Sequence, residues 1–161
     1  PLIYRAGRYG LGRTTHQLLR RAGIRIDTSV RSLFDYSHQG GPDYSRHPLV
    51  PYRVGEDEGL IELPVTTLHT GPLRHWGRSL QRLERRVPSA LGALARLGLL
   101  ERIALTPEGV SSAEAIRGID AALGHGLPVL VLSFHSPTLA PGHTPYARSQ
   151  SEVEDLYRWF K

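Results

Sequence analysis

One local plan recurs along the chain: a short apolar run, a turn that carries polar residues, and a helical segment ended by glycine. Apolar runs occur at residues 2–5, 24–29, 60–65 and 101–105, and residues 128–134 form an unbroken run rich in valine and leucine. Alternating strands and helices are typical of a parallel α/β sheet. The unbroken run predicts a central strand of that sheet, because a strand covered on both faces is apolar throughout.

Helix boundaries follow from capping residues and glycine stops. Thr14 or Thr15 can cap a helix that Gly23 ends, because a hydroxyl satisfies free amides at a helix start and glycine adopts the left-handed conformation at its end. A second helix is predicted over residues 73–87, with a break at Pro88.

Two residue pairs have the spacing of a capping box, in which a serine and a glutamate three residues later satisfy each other's backbone amides. Ser111 and Glu114 form the first pair, and Ser151 and Glu154 form the second. These pairs predict the starts of the last two helices.

The length and composition favour one domain spanning residues 1–161. A chain of 161 residues, 40% of them hydrophobic, can bury a core but is short for two domains. Residues 31–59 are rich in glycine, proline and polar residues, and connections of this length are usually functional or disordered. Because the chain contains no methionine and begins in an apolar run, we expect it to be a segment of a longer chain.

Composition excludes several classes of site and partner. No cysteine is present, so disulfides, thiolate metal sites and a cysteine nucleophile are excluded. The formal charge of +5 is spread along the chain, and the arginines within residues 82–86 belong to a predicted helix whose charged face is simply solvated. We therefore expect no nucleic-acid partner. No run reaches the roughly 18 apolar residues of a membrane span, so we expect a soluble segment whose compartment is undetermined.

Polar residues that directly follow apolar runs are the candidates for chemistry, because ligands of parallel α/β folds bind at the carboxyl ends of the strands. Four such ends carry polar side chains, at residues 4–10, 26–29, 63–66 and 132–137. They supply three candidate catalytic residues: Arg5, Asp27 and His135.

These three residues suit an acid–base site. His135 follows the unbroken apolar run, which would hold its imidazole on a rigid element, and histidine commonly serves as a general acid. Asp27 can supply the carboxylate that fixes the tautomer of such a histidine. Arg5 would need a carboxylate partner, since an unpaired guanidinium is costly. The structural alternatives are a loop hydrogen bond for His135, a turn cap for Asp27 and a structural ion pair for Arg5.

Residues 4–10, with the sequence Tyr-Arg-Ala-Gly-Arg-Tyr-Gly, resemble the third motif of the polysaccharide deacetylases, also called NodB-like or chitin deacetylase-like hydrolases. Residues 27–29 resemble the fourth motif of that family and residues 132–135 its fifth, in the family's order. The segment 132–142 is similar to a bacterial exopolysaccharide-associated branch. The resemblance implies an α/β fold, part of a distorted (β/α)7 barrel in which parallel strands alternate with helices.

The resemblance also implies a metal-dependent hydrolase, usually with zinc, that removes N- or O-acetyl groups from a sugar polymer. In that family His135 would protonate the leaving amine, Asp27 would orient His135, and Arg5 would tune a base aspartate. The partner would be a polysaccharide or oligosaccharide substrate, while the oligomeric state stays open.

Three further positions acquire substrate-binding roles from the resemblance: Tyr9, Gly10 and Leu132. The backbone N–H of Tyr9 would help to stabilise the oxyanion, and Leu132 would line the pocket for the acetyl methyl group.

Two motifs of the family are absent from this chain. The first contains adjacent aspartates and the second two closely spaced histidines, and together they provide the base and the metal ligands. No Asp-Asp pair occurs here, and the nearest histidine pair, His69 and His75, is predicted to lie in a loop and a helix start. The resemblance therefore implies that residues 1–161 are the C-terminal portion of a polysaccharide deacetylase-like domain and that the metal ligands lie upstream. It also implies that this segment alone binds no metal and is inactive.

Two other interpretations stay open. Gly7, Gly12, Arg13 and Thr14 match the spacing of a nucleotide phosphate-binding loop, except that arginine replaces the lysine. In the other interpretation, the chain is a non-catalytic carbohydrate-binding or scaffold domain whose aromatic side chains provide stacking surfaces: Tyr9, Tyr36, Tyr44 and Trp76.

Overall fold

The computed structural model describes residues 2–55, 59–84, 87 and 90–161, without the side chains of residues 82–84. Four short strands form one sheet in the spatial order β1-β2-β4-β3: β1 (Ile3–Tyr4), β2 (Ile26–Asp27), β3 (Tyr52–Arg53) and β4 (Ile61–Glu62). Strand β2 pairs in parallel with both β1 and β4, and β3 is antiparallel to β4. The predicted α/β class with parallel strands is therefore confirmed.

Helix α1 (Thr15–Arg21) connects β1 to β2, and Gly23 follows it with φ +73°, as the glycine stop predicts. The apolar side chains of this unit form a small core of Leu19, Ile24 and Leu60. Ile24 and Leu60 lie just before β2 and β4, and the last residue of each of these strands is a buried acid.

A second, two-stranded antiparallel sheet consists of β5 (Thr67–Thr70) and β6 (Glu101–Ala104). Helix α4 (Ser112–Gly124) packs against both strands, and its residue Ala122 forms a core cluster with Leu68 and Leu127. The remaining helices are α2 (Gly77–Glu84), α3 (Ala90–Arg96) and α5 (Gln150–Trp159). The predicted break at Pro88 and the arginines at positions 85 and 86 lie outside the described residues.

The predicted central strand at residues 128–134 is wrong. This run is not a strand, and Val129 is 43% exposed. Its backbone hydrogen bonds go to two separate segments. Val131 exchanges hydrogen bonds with Thr66, and the Ser133 amide donates to the Leu105 carbonyl at 3.1 Å. Single contacts to two segments do not build a ladder with either one. No closed barrel is found within the described residues, so the (β/α)7 barrel is not confirmed.

The first predicted capping box is confirmed and the second is displaced by two residues. Ser111 and Glu114 exchange both hydrogen bonds at the start of α4. At the start of α5, the box is formed by Ser149 and Glu152 rather than by Ser151 and Glu154. The two serines at 149 and 151 have the same spacing to a glutamate, so the sequence alone could not choose between them.

Replacing Ser111 or Ser149 with alanine should lower the free energy of unfolding by about 1 kcal/mol in each case, because the backbone amide of Glu114 or Glu152 loses its acceptor. Urea denaturation measures the effect. The matched control is Ser112→Ala, which changes an exposed serine one position inside α4 and should cost far less. Equal effects of Ser111→Ala and Ser112→Ala would contradict the capping role.

Candidate functional site

Two buried carboxylates lie side by side at the ends of neighbouring parallel strands. Asp27 ends β2 and Glu62 ends β4, and the two residues are register partners. Both are fully buried. Adjacent parallel strands bring their carboxyl ends to the same sheet edge, so the local fold places both acids at one point.

In each carboxylate, one oxygen accepts a hydrogen bond from a backbone amide, and the other oxygen has no hydrogen-bond partner within the described residues. Oδ1 of Asp27 accepts from the amide of Ser29 at 3.0 Å and also from the Ser29 hydroxyl. Oε1 of Glu62 accepts from the amide of Val30 at 2.9 Å. Oδ2 of Asp27 and Oε2 of Glu62 are buried with no hydrogen-bond partner within the described residues.

The pKa of Glu62 is raised to about 8, mainly because burial penalises its charged form. The neighbouring Asp27 charge raises it further, whereas the Val30 amide and the Arg5 charge oppose the shift. A pKa near 8 leaves Glu62 mostly protonated at neutral pH.

His16, from helix α1, completes a group of three. Its Nε2 lies 3.5 Å from Oδ2 of Asp27 and, like that oxygen, is buried without a hydrogen-bond partner. One ligand atom from each of His16, Asp27 and Glu62 lies within 4.8 Å of the other two, so the group could hold a metal ion.

Sequence reasoning found Asp27 but missed His16 and Glu62. The expectation that ligand-binding residues directly follow apolar runs, here called the strand-end rule, did not mark Glu62. Strand β4 ends at residue 62, whereas its apolar run continues to residue 65. His16 belongs to a helix, where that rule gives no signal.

Arg5 connects this cluster to the segment that carries His135. Its guanidinium donates to the hydroxyl of Thr28 at 2.8 Å and to the hydroxyl of Ser133 at 2.6 Å. The predicted carboxylate partner is thus replaced by two hydroxyls, which suffice because Arg5 is exposed and keeps part of its hydration.

His135 pairs with a carboxylate, but that carboxylate is Glu108 rather than Asp27. Nδ1 of His135 lies 2.7 Å from Oε2 of Glu108, while Oε1 accepts from the His135 amide at 2.8 Å and from the hydroxyl of Thr138 at 2.6 Å. The His135 side chain is 60% exposed and that of Glu108 only 7%. The predicted pairing with Asp27 is not formed, because Asp27 bonds to Ser29 and lies 3.5 Å from His16. Glu108 lies in the loop after β6, which ends at Ala104.

The turn predicted to bind substrate has an unusual backbone. Arg8 and Tyr9 have φ values of +53° and +57°, a region that non-glycine residues rarely adopt. The Tyr9 amide, expected to stabilise an oxyanion, donates to the carbonyl of Ala6 at 3.3 Å. Gly10 likewise donates its amide within the turn, and Leu132 is partly buried. The Tyr9 hydroxyl lies 3.5 Å from that of Ser133, two residues before His135.

The aromatic side chains of the long connection pack mainly against one another. Tyr36 stacks on Tyr9 and on Phe34, with ring centroids 6.0 and 5.9 Å apart. The guanidinium of Arg31 lies 3.9 Å from the centroid of Phe34. Such mutual stacking occupies ring faces that a sugar would need. Trp76 is different, because 65% of its surface is exposed.

The loop with phosphate-binding spacing is also internally bonded. Residues Gly7–Tyr9 form a 3-10 turn. The amide of Gly12 donates to the hydroxyl of Thr15 at 2.9 Å, so it is not free to bind a phosphate.

A separate cleft of about 220 Å³ contains His69 and His75 and has only basic and apolar lining residues: Leu33, Leu49, Leu68, His69, Arg74, His75, Arg78 and His125. His69 lies on β5 rather than in the predicted loop. Its Nε2 is buried without a partner within the described residues. Burial lowers the pKa of His69 to about 4, and the charges of Arg102 and Arg78 act in the same direction.

Comparisons with protein-family models, with curated proteins and with solved structures gave no match. Among the described residues, no helix has both the length and the apolar character needed to cross a membrane.

Proposed function

We propose that the natural protein carrying this chain is a hydrolase that removes acetyl groups from a sugar polymer, with His135 as its general acid. The observation that carries the proposal is the 2.7 Å contact between Nδ1 of His135 and the carboxylate of Glu108. The Glu108 side chain is buried, so it holds the imidazole in place while the ring itself stays accessible to a substrate.

The arrangement suits protonation of a leaving group. Hydrolysis of an acetamide adds water at the acetyl carbonyl carbon and breaks the C–N bond, so that the acetyl group leaves as acetate and the departing amine needs a proton. Glu108 accepts a hydrogen bond from Nδ1–H of His135 and stabilises the doubly protonated ring, whose Nε2–H is then the proton to be donated. Arg5 and the Tyr9 hydroxyl, which both contact Ser133, would supply polar contacts for the sugar.

The metal of the resembled family has no ligand set in this chain. Its ligand pattern, adjacent aspartates and closely spaced histidines, does not occur in the chain, so the residues present do not fit it. The step assigned to His135 rests on the chain's own imidazole and carboxylate.

Acetate release tests the proposal. The natural protein is incubated with N-acetylated and O-acetylated oligosaccharides, and free acetate is measured by proton NMR. We expect acetate from at least one substrate class. Calorimetry on the same saccharides provides the contrast, because binding without any acetate release would overturn the hydrolase and favour the carbohydrate-binding alternative.

A further inference from the structure

We infer that His16, Asp27 and Glu62 form a binding site for one divalent cation, with zinc as the best match. This site is separate from the His135–Glu108 pair. The first observation is the convergence of unpartnered atoms: Nε2 of His16, Oδ2 of Asp27 and Oε2 of Glu62 are all buried and lack hydrogen bonds within the described residues. Buried polar atoms normally have hydrogen-bond partners, so three unpartnered atoms close together indicate a binding site for an ion.

The orientation of the carboxylates is the second observation. In both Asp27 and Glu62, a backbone amide fixes one oxygen, from Ser29 and Val30 respectively. The second oxygen of each is thereby aimed inward at the other members of the group. Metal-binding carboxylates are commonly held in this way by hydrogen bonds to their outer oxygen.

Distances agree with a single small cation. Two ligands of a tetrahedral zinc ion, each about 2.0–2.1 Å from the metal, lie about 3.4 Å apart. Nε2 of His16 and Oδ2 of Asp27 are 3.5 Å apart, and the three ligand atoms lie within 4.8 Å of one another. Small side-chain rotations would bring all three to one ion.

Charge and donor type favour a divalent metal of the zinc class. A divalent cation would compensate the charge of two fully buried carboxylates, while Arg5 gives its hydrogen bonds to the hydroxyls of Thr28 and Ser133. One imidazole and two carboxylates suit zinc, whereas magnesium prefers oxygen ligands and keeps several waters. The side chain of His16 is 29% exposed, which gives an ion a route into the site.

Zinc stoichiometry tests the site. The natural protein is stripped with a chelator, dialysed against micromolar zinc, and its metal content is measured by mass spectrometry and its affinity by calorimetry. We expect His16→Gln and Glu62→Gln to retain one equivalent of zinc fewer than wild type. The matched control is His38→Gln, an exposed histidine, which should retain the wild-type amount.

The variant His16→Gln decides the matter, because a partly exposed side chain can change without unfolding the chain, as circular dichroism will show. Cobalt provides a second readout, since a tetrahedral site gives strong visible absorption that this variant should lose. Equal zinc content in wild type and His16→Gln would overturn the inference. Neither result depends on acetate release, so the hydrolase proposal stands or falls separately.

Discussion

The variant His135→Ala is expected to release acetate at least about 10²-fold more slowly than the natural protein, because a positioned acid contributes on this scale. The substrate is whichever acetylated oligosaccharide the wild type hydrolyses, and NMR of free acetate gives the rate. His143→Ala is the matched control, since His143 is an exposed histidine of the same surface segment. Wild-type rates in His135→Ala would remove this residue from the mechanism.

Glu108 should act only through His135, since its oxygens bond to the His135 ring, the His135 amide and Thr138. Glu108→Gln should therefore slow acetate release when it is the only substitution, but it should cause no further loss when added to His135→Ala. A full additional loss in the double variant would mean that Glu108 has its own role in the reaction.

Acidification is the second large effect that we expect. The pKa of His69 lies at about 4 in the folded chain against 6.5 for an ordinary histidine. Between these values the unfolded chain binds a proton that the folded chain does not, so the free energy of unfolding falls as the pH falls. The contribution is complete above pH 6.5, and up to about 3 kcal/mol of it is lost by pH 4.

Urea denaturation at several pH values measures this effect. His69→Gln should flatten the pH dependence between pH 6.5 and 4 relative to wild type, whereas His143→Gln, at an exposed position, should leave it unchanged. Taking the difference in the free energy of unfolding between wild type and each variant at every pH removes the contribution of carboxylates elsewhere. Parallel curves for wild type and His69→Gln would contradict the buried neutral state of this histidine.

Local signals predicted much of the fold because they act over a few residues. Gly23 ends α1 with positive φ, and Ser111 forms the predicted box with Glu114. The apolar run at residues 128–134 led to a wrong strand prediction for the same reason. Apolar character indicates that a segment can be buried but not which segment its backbone pairs with. Its amides reach Thr66 and Leu105, and both contacts depend on long-range packing.

The candidate site was predicted residue by residue rather than as contacts. The strand-end rule identified His135, Asp27 and Arg5, whose catalytic roles stay predictions. It could not show that His135 pairs with Glu108, because 27 residues separate them and helix α4 lies between. His16 gave no signal, since only the packing of α1 brings it to Asp27.

The three hydrogen bonds of the Glu108 carboxylate also bear on how this protein can vary during evolution. One side chain orients the ring of His135, bonds to its backbone and holds Thr138. Aspartate at position 108 is one methylene shorter, so it would have to give up some of these contacts. A substitution at any one of positions 108, 135 and 138 would therefore require compensating changes at the other two. In divergent relatives we expect the three residues to be conserved together or to change together.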